Sequence, residues 1–153
     1  MRLFIDADGC PVVNRAIAIA SRWGVEVILI CDSAHRIERE GATTHTVLKG
    51  ADSADFYLVN RIQKGDVAVT QDYGLAAMCL AKGARALHQN GLEFTEENID
   101  QMLLQRHESR KLRRAGVHMK GPAPRTKQDD LKFDAALERI FREEAKNMSR
   151  GTE

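Results

Sequence analysis

The chain has 153 residues, of which 43% are hydrophobic and 29% are charged, and its formal net charge is +1 at pH 7. This length fits one domain, and the composition is typical of a soluble globular protein. No apolar run approaches the roughly 18 residues that a membrane span needs, and the acidic N-terminal region is not that of a signal peptide. Three widely separated cysteines without a CxxC motif favour reduced thiols in the cytoplasm.

The first part of the chain predicts strands that alternate with a helix. Arg2–Asp6 is predicted as a short buried strand, and Pro11 lies in the first turn of a helix that ends at Gly24. The run VEVILI at Val25–Ile30 is typical of a strand covered on both faces, whereas Thr43–Leu48 is a weaker strand candidate. This order is typical of a βαβ unit.

The alternation continues along the rest of the chain. The predicted elements are a helix at Asp52–Ile62, a strand at Val67–Thr70, a helix at Tyr73–Lys82, a strand at Ala84–His88, and helices at about Glu96–Glu108 and Leu131–Lys146. This order predicts an α/β fold, a three-layer α/β/α sandwich with a mostly parallel sheet of four or five strands. One domain is predicted over residues 1–146, with 106–128 as a basic helix end and loop and 147–153 as a disordered tail.

Several aspartates are predicted to converge at one edge of this sheet. Open parallel sheets bind ligands at the carboxyl ends of their strands. Each of five aspartates follows a strand or opens the helix after one, namely Asp6, Asp8, Asp52, Asp55 and Asp72. Asp66, in contrast, precedes its strand and is predicted at the opposite edge.

Such a cluster of carboxylates predicts a bound cation, because like charges in one place resist ionising together. Oxygen-only ligands favour Mg²⁺ or Mn²⁺, and these ions activate water and stabilise the charge that develops in phosphoryl transfer. A structural interpretation remains open for each aspartate taken singly, since Asp8-Gly9 suits a turn and Asp52 suits a helix N-cap. Their coincidence at one edge favours a metal site.

A basic segment gives the chain a strong charge asymmetry. Residues 106–127 contain eight Lys or Arg and one Glu, a net charge of +7, so the remaining residues carry −6. This segment suits the binding of RNA phosphates, although Arg110–Arg114 can equally be the solvated last turn of a helix. Because aromatic residues make up only 5% of the chain, recognition of backbone or shape is expected instead of base stacking.

Three stretches of the chain carry a resemblance to a known family. The chain resembles the bacterial YaiI/YqxD family of uncharacterised proteins in FIDADGCPV, in GADSADFYLVNRIQKGDVAVTQDYGLAAMCLAKGARAL and in RKLRRAGVHMKGPAPRTKQDDLKF. The resemblance covers nearly the whole chain. That family is in turn similar to PIN-like domains, which are metal-dependent ribonucleases with a parallel α/β/α sandwich.

The resemblance implies metal-dependent hydrolysis of a phosphodiester, with RNA as the expected substrate. Matching the PIN-like pattern makes Asp6, Asp55 and Asp72 the catalytic candidates, while the fourth acidic position of that pattern is Gly74 here. All five clustered aspartates are candidate ligands for Mg²⁺ or Mn²⁺. The expected substrate contacts are Thr70, Arg113, Arg114, Lys120 and Arg125.

Two other functions remain open from the sequence. A haloacid-dehalogenase-like phosphatase also opens with Asp-x-Asp-Gly, so that Asp6 would be the nucleophile and Asp8 the general acid. That chemistry needs a further acidic motif at a strand's carboxyl end, and Asp66 lies on the wrong side of its strand. A non-catalytic nucleic-acid-binding or protein-binding module that retains the acidic edge is the other alternative.

Overall fold

Strands and helices alternate through most of the structure. The structure is a computed structural model, and it describes residues 1–32, 36–48, 53–119, 121 and 123–151. None of the helices in these residues is long and apolar enough to cross a membrane. The described elements are, in chain order, β1 (Arg2–Asp6), α1 (Val13–Arg22), β2 (Glu26–Asp32), β3 (Thr43–Val47), α2 (Ser53–Arg61), β4 (Val67–Val69), α3 (Tyr73–Ala81), β5 (Arg85–Leu87), β6 (Glu93–Phe94), α4 (Glu96–Arg114) and α5 (Lys127–Gly151).

The strands form one sheet in the order β3-β2-β1-β4-β5-β6. Neighbouring strands pair in parallel except β5 and β6, which are antiparallel with Ala86 opposite Phe94. β1 lies in the interior of the sheet, where Ile5 pairs with Leu29 of β2 and with Val69 of β4. The chain adds strands on one side of β1 up to β3 and on the other side from β4 onward. β1 and β4 therefore form the switch point at which the connections change direction.

Helices cover both faces of the sheet. Side chains of β1 alternate between the faces, so that Leu3 and Ile5 pack with α1 and α5, and Phe4 packs with α2, α3 and α4. All three side chains are fully buried. The architecture is the predicted three-layer α/β/α sandwich, and its central strands are apolar between their end residues because both faces are covered.

The five predicted strands are confirmed, and the structure adds a sixth. β6 consists of Glu93 and Phe94 alone, which is too short to give a period-2 pattern in the sequence. Helix α4 also continues beyond its predicted end at Glu108 as far as Arg114.

Helix α5 differs from the prediction at both ends. It begins at Lys127, inside the predicted loop, and it continues to Gly151, so that residues 147–151 are helical where a disordered tail was predicted. Reciprocal capping sets its start, since the Thr126 N–H donates to Asp129 Oδ2 at 2.9 Å and the Asp129 N–H donates to Thr126 Oγ1 at 3.3 Å. No proline or glycine interrupts the helix before its last residue.

A buried carboxylate stabilises the amino-terminal edge of the sheet. Asp66, which is 4% exposed, lies directly before β4. It accepts hydrogen bonds from the Arg2 N–H at 2.9 Å, from the Arg2 guanidinium at 3.0 Å and from the Gln63 N–H at 2.9 Å. These bonds join the start of β1 to the turn before β4. The prediction that Asp66 lies at the edge opposite Asp6, Asp8 and Asp72 is confirmed.

Replacing Asp66 with alanine is expected to lower the free energy of unfolding by about 3 kcal/mol, because the change leaves Arg2 and two backbone donors without their acceptor. The matched control is Glu138→Ala, which removes a partly exposed ion pair with Arg22 and should cost less than about 1 kcal/mol. Urea denaturation measures both differences. Equal losses in the two variants would contradict the role assigned to Asp66.

Candidate functional site

A cleft of about 1020 Å³ combines carboxylates from the ends of β1 and β4 with basic side chains from α4. It opens at the carboxyl ends of these strands, at the switch point of the sheet. The charged and titratable residues that line it are Asp6, Asp8, Asp72, Tyr73, His88, Arg106, Arg110, Arg113, Arg125 and Asp129. Its position is the one at which open parallel sheets bind ligands.

Thr70 connects the two strands beside the cleft. Its hydroxyl donates to Asp6 Oδ2 at 3.0 Å and accepts a hydrogen bond from the Asp72 N–H at 3.0 Å. The residue is only 2% exposed. A substrate contact was predicted for Thr70, but in this structure it is a buried residue that positions two of the three catalytic candidates.

Burial is the largest influence on the ionisation of Asp6. It raises the pKa of this carboxyl, the hydrogen bond from Thr70 lowers it, and the charges of Asp55, Asp8 and Asp72 raise it further. The resulting pKa is about 6, compared with the usual 3.8. Asp6 is therefore within electrostatic reach of the other three aspartates, and its charge at neutral pH is costly unless a cation lies close to it.

Asp8 supports the turn after β1 and keeps one carboxylate oxygen unpaired within the described residues. Its Oδ2 accepts a hydrogen bond from the Asp32 N–H, at the end of β2, at 3.0 Å. Its Oδ1 is buried and has no hydrogen-bond partner within the described part of the chain. Gly9 follows with a φ of 68°, which suits a tight turn. Because an unpaired buried oxygen is destabilising, a cation at Oδ1 would relieve a cost that the turn alone does not explain.

Asp72 is the N-cap of α3 as well as a cleft residue. Its Oδ1 accepts hydrogen bonds from the N–H groups of Gly74 at 2.9 Å and Leu75 at 3.1 Å. The Arg106 guanidinium approaches the same oxygen at 3.9 Å. Capping thus fixes this carboxylate at the cleft while both cap bonds use a single oxygen.

Two further predicted ligands, Asp55 and Asp52, do not line the described part of the cleft or lie outside the described residues. Asp55 lies in the first turn of α2 and its charge reaches Asp6, but it is not among the described residues that line the cleft. Asp52 lies outside the residues that the structure describes. Across the described residues, no three His, Cys, Asp or Glu side chains are arranged so that they could hold a metal ion. The cleft therefore gathers Asp6, Asp8 and Asp72 without bringing them into coordination geometry.

One face of α4 supplies the basic side of the cleft. Arg106, Arg110 and Arg113 are spaced at i, i+4 and i+7, and all three line it. Of these, only Arg113 was predicted as a substrate contact, although their helical spacing could have identified the other two. Arg114 is not among the described lining residues, and Lys120 lies outside the described part of the chain.

Arg125 lines the cleft, but its guanidinium is engaged within the protein. Nε donates to Asp130 Oδ1 at 2.8 Å, Nη1 to Asn90 Oδ1 at 2.8 Å, and Nη2 to the Gln89 carbonyl at 2.9 Å. These bonds hold the loop before α5 against the turn between β5 and β6. In this structure Arg125 therefore has a structural role, where a phosphate contact was predicted.

Comparison with known proteins identifies the family. The family model for the uncharacterized BCR, YaiI/YqxD family matches residues 4–143 of this chain. The chain belongs to the YaiI/YqxD family. A UPF0178 protein of Exiguobacterium sibiricum is 50% identical over 143 residues, which are 94% of this chain and 98% of that protein. A UPF0178 protein of Clostridium acetobutylicum is 46% identical, over 92% of this chain and 97% of that protein. The predicted family is thus confirmed.

The likeness of this YaiI/YqxD protein to a solved structure is weaker. A crystal structure of a mutant of Rae1 (YacP) from Bacillus subtilis aligns over 91% of this chain and 99% of that chain. The sequence identity is 15% and the TM-score is 0.39. A likeness at this level does not bear on function, and the similarity to PIN-like domains stays a prediction.

Replacing Asp6 with asparagine is expected to change how stability depends on pH in metal-free buffer. Because the folded pKa of about 6 lies above the usual 3.8, the stability that protonated Asp6 provides is complete below pH 3.8 and is lost as the pH rises to about 6. Two pH units correspond to at most about 3 kcal/mol. The neutral asparagine variant should match wild type near the acidic limit and exceed its free energy of unfolding by about 1–3 kcal/mol above neutrality.

Urea denaturation in EDTA, once below pH 3.8 and once above neutrality, measures the difference in free energy of unfolding between the variant and wild type. Asp100→Asn is the matched control, because Asp100 is an exposed residue of α4, and this variant should retain the pH dependence of wild type. A stability difference between Asp6→Asn and wild type that does not change with pH would show that Asp6 titrates normally.

Proposed function

We propose that this protein is a metal-dependent nuclease that hydrolyses phosphodiester bonds of RNA in the cleft. The observation that carries the proposal is that Asp6, Asp8 and Asp72 share one cleft with three arginines of α4 at the switch point of the sheet. Carboxylates alone would repel a polyanion, and arginines alone would bind it without supplying chemistry. Together they can hold a phosphodiester next to a cation.

The carboxylates fit a hard divalent cation in their chemistry. Asp6, Asp8 and Asp72 would hold Mg²⁺ or Mn²⁺, with Asp55 and Asp52 as further candidate ligands. Two observations support this assignment, the raised pKa of Asp6 and the buried Oδ1 of Asp8, which has no hydrogen-bond partner among the described residues, because a cation would relieve both. When bound, such an ion activates water and stabilises the negative charge that develops on the phosphate.

The protein's own side chains would position the reacting groups. Thr70 fixes the orientation of Asp6 through its 3.0 Å hydrogen bond, and the α3 cap fixes that of Asp72. The three α4 arginines would hold RNA phosphates across the cleft through contacts that release counterions and weaken with salt. The charge asymmetry of the chain then has a function, since the basic helix face brings a polyanion to an acidic site.

The two alternative functions differ in their support. The phosphatase needs a further acidic motif at the carboxyl edge, but Asp66, the candidate for that motif, is buried against Arg2 at the opposite edge. The non-catalytic nucleic-acid-binding module is favoured by the absence of a three-ligand group among the described residues and by the capping role of Asp72. It predicts salt-sensitive RNA binding without turnover.

The variants Asp6→Asn and Asp72→Asn are expected to lose Mn²⁺-dependent cleavage of a single-stranded RNA by a factor on the order of 100 or more. Asparagine is also a good N-cap, so the second substitution should leave α3 intact. The same variants should lose the increase in melting temperature that Mn²⁺ gives to wild type, which reports metal binding independently of turnover.

Asp100→Asn is again the control, since it removes an exposed carboxylate from α4 and should retain both cleavage and the Mn²⁺ effect. Cleavage that is unchanged in Asp6→Asn would overturn the nuclease assignment. RNA binding by wild type without any cleavage would favour the binding module, and a covalent phosphate adduct on Asp6 would favour the phosphatase.

Replacing both Arg110 and Arg113 with glutamine is expected to weaken RNA binding and to reduce its salt dependence. Each lost phosphate contact should lower the slope of log K against log salt by about 0.7 for a single strand. The matched control is Arg150→Gln, in the last turn of α5, which should leave the slope unchanged. Fluorescence anisotropy of a labelled RNA at several salt concentrations measures the slopes, and equal effects of the two changes would contradict the assigned basic face.

A further inference from the structure

Three aromatic side chains meet at one end of the cleft. The ring centroids of Tyr73 and Phe94 are 5.6 Å apart, those of His88 and Phe94 are 5.9 Å apart, and those of Tyr73 and His88 are 6.4 Å apart. Phe94 is fully buried and supports the other two, which both line the cleft. Tyr73 directly follows the cleft carboxylate Asp72 as the first residue of α3.

An arginine lies over this aromatic cluster. The Arg106 guanidinium carbon is 5.8 Å from the centroid of the Tyr73 ring, and its Nη1 lies 3.9 Å from Asp72 Oδ1. A flat ring placed between two stacking partners needs about 7 Å, twice a carbon–carbon contact distance of about 3.5 Å. The Arg106 side chain is 41% exposed and its ion pair is long, so a movement of about 1–2 Å would admit such a ring at little cost.

The neighbouring turn presents uncharged polar groups to the cleft. His88 Nδ1 accepts a hydrogen bond from the Asn90 N–H at 3.1 Å, so the proton of the neutral ring lies on Nε2. Burial and the charge of Arg125 both lower the pKa of His88, which keeps the ring neutral. Gln89 and Asn90 also line the cleft, and Arg125 holds both in place through the Asn90 side chain and the Gln89 carbonyl. Carboxamides can both donate to and accept from the edge of a nucleobase.

We infer that this end of the cleft is a subsite for one unpaired nucleobase, stacked between Tyr73 and Arg106 with its edge toward Gln89 and Asn90. The inference rests on the proposed function, and it adds that the substrate is single-stranded at this position, because a base within a duplex cannot present its face. The adjacency of Tyr73 to Asp72 places the stacked base next to the phosphate at the carboxylates. Base stacking at this site departs from the sequence-based expectation of backbone or shape recognition.

The test uses a short single-stranded RNA that carries 2-aminopurine at one position, and the same RNA with an abasic residue there, both in EDTA to prevent turnover. With the modified position scanned along the strand, one position should show quenched 2-aminopurine fluorescence. At that position the abasic RNA should bind about 5- to 100-fold more weakly than the intact RNA, as expected for one base–aromatic stack. Both measurements use the wild-type protein and do not depend on the folding of a variant.

The stack is assigned to its two partners by conservative variants. Tyr73→Leu and Arg106→Lys should each lose most of the abasic penalty, whereas Tyr73→Phe should keep it. The matched control is Arg61→Lys, because Arg61 lies 3.5 Å over the ring of Tyr57 and neither residue is among those that line the cleft. The single tryptophan, Trp23, packs near Phe141 in the layer of α1 and α5, so its fluorescence reports whether each variant is folded.

The outcomes separate the subsite from the proposed hydrolysis. Equal binding of intact and abasic RNA at every position, or an abasic penalty that is the same in wild type and Arg106→Lys, would overturn the subsite. If Mn²⁺-dependent cleavage occurs with equal rates on both RNAs, the nuclease proposal stands and the subsite fails. If quenching and the abasic penalty occur without cleavage under any metal, the subsite stands and the hydrolysis fails.

Discussion

The parallel pairing of β1 with β4 is the interaction on which the candidate site depends. It sets the carboxyl ends of both strands side by side, so that Asp6 lies within hydrogen-bond distance of Thr70 although 64 positions separate them in the chain. The same register brings Asp66 to Arg2 at the other edge. One pairing therefore separates the aspartate that stabilises the sheet from the aspartates that line the cleft, and it does so at the point where the strand connections change direction.

The cleft carboxylates are a source of instability within a well-packed fold. Burial and like charges oppose the ionisation of Asp6, and Asp8 keeps a buried oxygen unpaired within the described residues. Natural proteins retain such local violations mainly at functional sites, where a ligand offsets them. Neighbouring groups fix the orientation of these carboxylates. The Thr70 hydroxyl donates a hydrogen bond to Asp6, and Asp72 caps the N-terminus of α3. The arrangement holds the charged groups in position before any ligand arrives.

The basic segment divides into parts with different roles. The face of α4 that carries Arg106, Arg110 and Arg113 turns toward the carboxylates. Arg125, farther along the same segment, is instead an internal clamp that fixes the turn between β5 and β6. That turn and the start of α3 bring Tyr73 and His88 together beside the acidic groups. The net charge of +7 therefore does not show which arginines of the segment line the cleft and which are bonded within the protein.

The sequence by itself determined five of the six described strands, the layers, and the edges of the sheet at which Asp6, Asp72 and Asp66 lie. Buried strands appear in the sequence as apolar runs. Because parallel strands run in the same direction, Asp6 and Asp72, which end or follow a strand, lie at the carboxyl edge of the sheet, and Asp66, which precedes a strand, lies at the opposite edge. Only the tertiary structure decided the role of Thr70, the engagement of Arg125 and the meeting of the aromatic rings. Each of these depends on hydrogen bonds or ring contacts between residues far apart in the chain, and such contacts leave no local period in the sequence. The same limit applies to β6, whose two residues are a strand only because β5 pairs with them.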